Sequence, residues 1–193
     1  MCARSFGGSV HPTELRAHKP CAPTVWSEDL LPTAKLLFAA DPVHFVAESV
    51  IRTTPERLFA FHELPDALSR LTPPWEPARI VQAAASLRPG SLAVVDVRVL
   101  PLIWIRTEAR HTVLDPPWLF VDELVKGPFR SWRHRHVIAP DDRGARLTDA
   151  IDFEPPLGFA GRWAAPWLIL PRLRRLFAYR HEITRAWCEE SDQ

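Results

Sequence analysis

Residues 119–156 read LFVDELVKGPFRSWRHRHVIAPDDRGARLTDAIDFEPP, and the alternation within this stretch decides the fold. Three alternating runs are divided by two turn signals, Gly127-Pro128 and Asp141-Asp142-Arg143-Gly144. Period two bounded by Gly, Pro and Asp clusters marks a strand meander with one buried face. The middle run says which face. Trp132, His134, His136 and Ile138 share one side, and Arg133 and Arg135 share the other. Arginine seldom faces a core without a partner, so the Trp/His side is expected to point inward.

Working outward, the turns set registers. Closing Asp141 with Gly144 puts His136 opposite Asp149, His134 opposite Ile151 and Trp132 opposite Phe153, which keeps the large apolar residues on one side. An even register at Gly127-Pro128 puts Asp122 opposite His134 and Phe120 opposite His136. At the Pro116-Pro117 turn, the matching register puts His111 opposite Asp122. Two inward rows are expected: Val113, Phe120, His136 and Asp149, then His111, Asp122, His134 and Ile151. A one-residue slip at Gly127 would exchange Asp122 for Glu123.

Upstream, residues 44–52 alternate and predict a first strand. Thr54-Pro55-Glu56 supplies an N-cap hydroxyl, a proline at the first helical position and an acid in the first turn. A short helix is expected to about Leu64, and a second over residues 66–71. Strands are expected over 78–83, 91–100, 104–114 and 119–126. After the meander, residues 157–161 read as a flexible connector. A long helix should begin near Pro171 and run to about Cys188, with an inner stripe of Leu173, Leu176, Phe177, Arg180, Ile183 and Trp187. The fold class is therefore α+β, a curved antiparallel sheet of about seven strands around a long C-terminal helix. Residues 1–42 are read as a loosely ordered extension carrying one short helix over 30–40, and residues 43–190 as the domain.

The whole chain sets bounds. Its 193 residues, 47% hydrophobic, suit one domain with a core. A net charge of +1 argues against a nucleic-acid partner. Cys2, Cys21 and Cys188 form no CxxC pair or disulfide framework, and the first twenty residues hold no apolar signal core, so a cytoplasmic location is expected. The longest apolar runs are broken by Pro or Lys and fall short of the ~20 residues a membrane span needs, so no transmembrane segment is expected.

Several pieces together resemble one superfamily. They are Glu48-Ser49, Thr54-Pro55-Glu56 with Phe59-Ala60-Phe61, Leu71-Thr72-Pro73-Pro74-Trp75, and Phe120-Val121-Asp122 with Gly127-Pro128-Phe129. Trp132-Arg133-His134-Arg135-His136, Thr148-Asp149 and Phe177-Ala178-Tyr179-Arg180 complete the set. The pattern is similar to the SRPBCC superfamily, with its START lipid-transfer domains, Bet v-type plant proteins and polyketide cyclases, and most of all to a bacterial ligand-binding or cyclase/dehydrase-like branch. The resemblance covers residues 43–188 and implies the helix-grip fold. It carries over no catalytic residue, because one scaffold serves carriers, enzymes and regulators.

The function expected is binding of a hydrophobic or amphipathic small molecule, lipid, polyketide or quinone-like, in an internal cavity between the sheet and the last helix. Its contacts are expected from His111, Phe120, Asp122, Trp132, His134, His136, Asp149, Phe153, Phe177 and Arg180. Three explanations compete for the inner His/Asp rows. The pairs satisfy one another inside a core, or they orient a ligand, or His134 or His136 acts as general acid or base in a cyclase/dehydrase-type enzyme. A regulatory module is a further alternative. His111, His134 and Asp122 could supply a metal with two imidazoles and a carboxylate, but nothing in the sequence demands one, and no cofactor or metal is expected. Arg180 is expected over the rows, pairing with Asp122, Asp149 or a ligand, or reaching the pocket rim. His11, His18, His44, His62 and His181 read as surface or rim residues. Residues 158–175 mix Trp163, Trp167, Leu168 and Ile169 with four arginines. They fit a helix docked on the sheet, the preferred reading, or a lid making transient membrane contact.

Overall fold

Two residues, Asp142 and Arg143, reverse the chain between two eleven-residue strands, with Asp141 directly opposite Gly144. The Asp141 carboxylate accepts the Arg143 backbone N–H at 3.1 Å, a local bond that favours the turn. Gly144 sits at φ +138°, and a Cβ there would collide with the Ile51 carbonyl, so the turn admits glycine alone.

The computed structural model describes residues 41–100 and 102–190. The expected helix over 30–40 lies outside them. In chain order the elements are β1 (Val43–Ile51), α1 (Pro55–His62), α2 (Ala67–Arg70), β2 (Ala78–Gln82), β3 (Leu92–Leu100), β4 (Ile103–Asp115), β5 (Leu119–Lys126), β6 (Ser131–Asp141), β7 (Gly144–Glu154), α3 (Gly158–Leu168) and α4 (Leu170–Glu190). The strands form one antiparallel sheet ordered β1-β7-β6-β5-β4-β3-β2. β7 alternates buried and half-buried residues along its whole length, as a strand with one core face must. Among the described residues no helix is long and apolar enough to cross a membrane.

The registers at two turns match the sequence expectation, with His136 opposite Asp149, His134 opposite Ile151, Phe120 opposite His136 and Asp122 opposite His134. At the third, His111 does face Asp122, but the pairing shifts between His111 and Val113. Leu114, not Val113, therefore stands opposite Phe120 and packs on the same apolar cluster. A second shift lies on β5 between Leu124 and Lys126. Such bulges add local twist and bend a sheet toward the element it covers.

Two apolar clusters fill the inner side. One gathers Ile51, Leu58, Phe59, Phe61, Phe120, Ile138 and Leu147 with Cys188 of α4. The other gathers Phe45, Ile151 and Phe153 with Leu173 and Phe177 of α4. α4 spans both, and its buried residues are Leu173, Phe177, His181, Thr184 and Cys188. Steps of 4, 4, 3 and 4 follow one helical face. The expected stripe is corrected by this: Leu176, Ile183 and Trp187 flank that face half-buried, and His181 occupies its centre.

The expected flexible connector is also corrected. Residues 158–168 form α3, with Pro166 inside it. Gly161 is there for space, since a Cβ would collide with the Pro156 carbonyl. Thr54 caps α1 as expected, its hydroxyl accepting the Arg57 N–H at 3.3 Å, with Pro55 opening the helix.

Candidate functional site

Between the two apolar clusters the inner face turns polar. Cross-strand pairing alone sets Asp122, His134, His136 and Asp149 side by side on β5, β6 and β7, and α4 lowers His181 onto them. His134 and Asp149 are each only 3% exposed. The Asp149 carboxylate is the hub. His134 Nε2 donates to its Oδ1 at 2.9 Å, and His181 Nε2 donates to its Oδ2 at 2.7 Å. His136 Nδ1 also lies 2.7 Å from Oδ1, but off the axis of its N–H, so that contact is a close approach rather than a hydrogen bond. Asp122 faces the same two rings from the other side. Its Oδ1 is 3.3 Å from His136 Nε2 and 3.5 Å from His134 Nδ1.

Aromatic rings wall the cluster. Phe120 stacks flat on His136, centroids 3.9 Å apart, and Phe177 meets His134 edge-on at 5.3 Å. His62 of α1 closes the side, 5.7 Å from His136, with Nδ1 donating to the Leu58 carbonyl at 3.0 Å. His111 carries the row onto β4, where its Nδ1 is buried without a hydrogen-bond partner among the described residues.

Burial and charge act in opposite directions here. Burial alone would lower the His134 pKa, but the negative charges and contacts of Asp122 and Asp149 raise it to about 9. Burial would raise both carboxyls, yet the facing imidazoles hold Asp122 and Asp149 below the usual carboxylate range. His62 shares burial but gains little compensation. Desolvation, then repulsion from His136, lowers it to about 4. Burial likewise lowers His111, against the pull of Asp122. Side by side, the cluster holds an ion pair and a neutral imidazole.

Of the residues expected at the site, His111, Phe120, Asp122, His134, His136, Asp149 and Phe177 are brought together. Trp132 and Phe153 pack instead with Phe129 at the far end, with centroids 5.0 to 5.6 Å apart. Of the alternatives for Arg180, the ion pair with Asp122 or Asp149 does not form. Its Nε donates to the Leu71 carbonyl at 3.1 Å and its guanidinium lies over Phe177. The Asp149 carboxylate it would have met is already taken by His134 and His181. Two histidines read as surface or rim residues, His62 and His181, are 8% and 6% exposed and belong to the cluster. The signal for His181 was its place four residues after Phe177; for His62, four after Leu58.

Two clefts flank α4. One, of about 490 Å³, runs between β1 and α4 over Phe45, Ala47, Phe177 and Ala178, with His181 linking it to the Asp149 hub. The other, of about 630 Å³, lies by Trp75, Val99, Arg172 and Arg175.

No protein-family model matches the sequence, and no curated protein does. Solved structures match its fold. Protein CV1439 from Chromobacterium violaceum is 16% identical at a TM-score of 0.58, covering 77% of this chain and 99% of that one. Ara h 8.0201 is 15% identical at 0.51, over 74% and 97%. The di-domain ARO/CYC StfQ from the steffimycin biosynthetic pathway is 11% identical at 0.58, over 79% of this chain and 52% of that one. The fold is the helix grip. Identities this low establish the helix grip and nothing finer, so what it does here rests on its own residues.

Proposed function

We propose that this helix-grip domain binds a hydrophobic or amphipathic small molecule, lipid, polyketide or quinone-like, between α4 and the sheet. The observation that carries the reading is the cleft of about 490 Å³ beside β1, where Phe45, Ala47, Leu170 and Phe177 meet the polar side chains of Glu48, Arg174, His181 and Arg185. A concavity that joins apolar side chains to converging polar groups suits an amphipathic guest. His181 and the Asp149 hub behind it would take a hydroxyl, carbonyl or acid head, while the tail lies along the β1 side.

Helix α3 supports a route of entry. Phe159, Trp163 and Trp167 recur every four residues along it and are 83%, 72% and 74% exposed, with Leu157 and Leu168 at its ends also bare. Arg172, Arg174 and Arg175 follow at the start of α4 and are exposed. Exposed aromatics beside cations suit brief contact with an anionic membrane surface, from which the guest would be collected.

The test fills the cleft from the outside. Ala178 lines it from an exposed position on α4. Ala178→Trp should reduce uptake of a fluorescent fatty acid at least tenfold with an unchanged melting temperature. Unchanged uptake would end the reading. Native mass spectrometry of protein purified from its host would show whether a guest travels with it.

A second reading is favoured by one observation, the buried His134 imidazole set between the carboxylates of Asp122 and Asp149. A cyclase/dehydrase-type enzyme would use such a group as general acid. Under that reading His134→Gln abolishes turnover of a polyketide-like substrate while fatty-acid uptake persists.

A further inference from the structure

The two carboxylates treat their imidazoles differently. Asp149 accepts from His134 at 2.9 Å and from His181 at 2.7 Å, the separation of charge-assisted hydrogen bonds. Asp122 stands off at 3.3 and 3.5 Å, long for such a bond between charged groups. These longer separations have another meaning. Donor atoms bound tetrahedrally to one ion at 2.0–2.1 Å lie about 3.3 Å from one another. Asp122 Oδ1, His134 Nδ1 and His136 Nε2 all lie within 4.8 Å of each other, from three adjacent positions on one sheet face.

The geometry points to a site for one divalent first-row transition ion, of the Zn²⁺ class, held by Asp122 Oδ1, His134 Nδ1 and His136 Nε2. The nitrogens that would not touch the ion, His134 Nε2 and His136 Nδ1, both lie beside Asp149 Oδ1. A carboxylate behind a ligating imidazole fixes its tautomer and orientation, as Asp149 does for His134, while His136 Nδ1 lies 2.7 Å from the same oxygen without a hydrogen bond. His181, bound to the other oxygen, holds that carboxylate in place. The charges balance, since Asp122 and Asp149 together carry the two negative charges that a divalent cation neutralises. Two imidazoles and one carboxylate suit zinc, cobalt or iron; calcium and magnesium prefer oxygen donors. Three protein donors leave a fourth position. His111 stands opposite Asp122 on the neighbouring strand, outside the three-donor set. Strands, rather than loops, carry all three donors, which keeps the set rigid.

The experiment uses the full chain, stripped of metal with a chelator and then dialysed. Titration calorimetry with Zn²⁺ should show one equivalent bound at micromolar affinity or tighter. Co²⁺ should give the intense visible absorption of a tetrahedral centre. His136→Gln and Asp122→Asn should weaken binding at least a hundredfold, and Asp149→Asn tenfold to a hundredfold. His44→Gln, at an exposed histidine paired with Asp152, should bind as the parent does. If the core variants fail to fold, X-ray absorption on the parent loaded with Zn²⁺ decides, and should show two imidazoles in the shell. The proposal is overturned by failure of the parent to bind one equivalent, by undiminished binding in a folded His136→Gln, by loss of binding in His44→Gln, or by a shell lacking two imidazoles.

Discussion

Single side chains set the chemistry of the cluster. His62 is neutral in the folded protein because burial lowers its pKa from 6.5 to about 4. The unfolded chain takes up a proton near pH 6.5 and the folded chain does not, so stability falls as pH drops through that window. The loss amounts to ~3 kcal/mol by pH 4. Urea unfolding of the parent and of His62→Phe at pH 7 and pH 4 should show the parent losing about that much more than the variant. An equal acid loss in both would remove His62 as the cause. Asp149 acts through charge pairing. Removing a buried partner strands the charge that faced it, so Asp149→Ala should cost ~3–5 kcal/mol at neutral pH. A cost below ~1 kcal/mol would mean that the imidazoles rearrange freely without it.

At the scale of elements, what the sequence made legible follows from periodicity. β6 and β7 could be paired residue by residue, because one glycine turn and one apolar face leave a single register. The shift at His111/Val113 was illegible, since a bulge leaves alternation intact on both sides of it. In α4 the large residues Leu176, Ile183 and Trp187 drew the expected stripe one position away from its true centre. Apolar flanks outweigh a histidine when only hydrophobicity is read, and His181 is buried because Asp149 waits beneath it. Residues 157–161, the start of α3, resembled a connector because Gly158 and Gly161 lower helix propensity. Packing against Pro156, invisible in the sequence, accounts for Gly161. The bare aromatic side of that helix gives a direct expectation. Trp163→Ser with Trp167→Ser should weaken sedimentation with anionic vesicles about tenfold or more, without moving the melting temperature, because neither ring is in the core. Phe177→Ala, by contrast, empties a fully buried position on α4 and should cost ~3–5 kcal/mol in chemical denaturation.

Across the whole molecule, seven strands and a spanning helix enclose two apolar clusters with a polar seam between them. Both clusters draw on α4, and one also on α1, so the described residues should unfold in a single step. A chain cut to residues 41–190 should therefore melt cooperatively, with fluorescence and circular dichroism transitions coinciding. Separate transitions would mean that the seam divides two independent cores. The strand order holds one last consequence. β1 borders β7, more than ninety residues further along, and α4 then closes over it. During synthesis the first strand leaves the ribosome about a hundred residues before its neighbour exists, so its edge must wait unzipped until translation is nearly over. Ribosome-stalled chains ending before residue 144 should remain protease-sensitive throughout, and protection should arrive only once α4 has emerged.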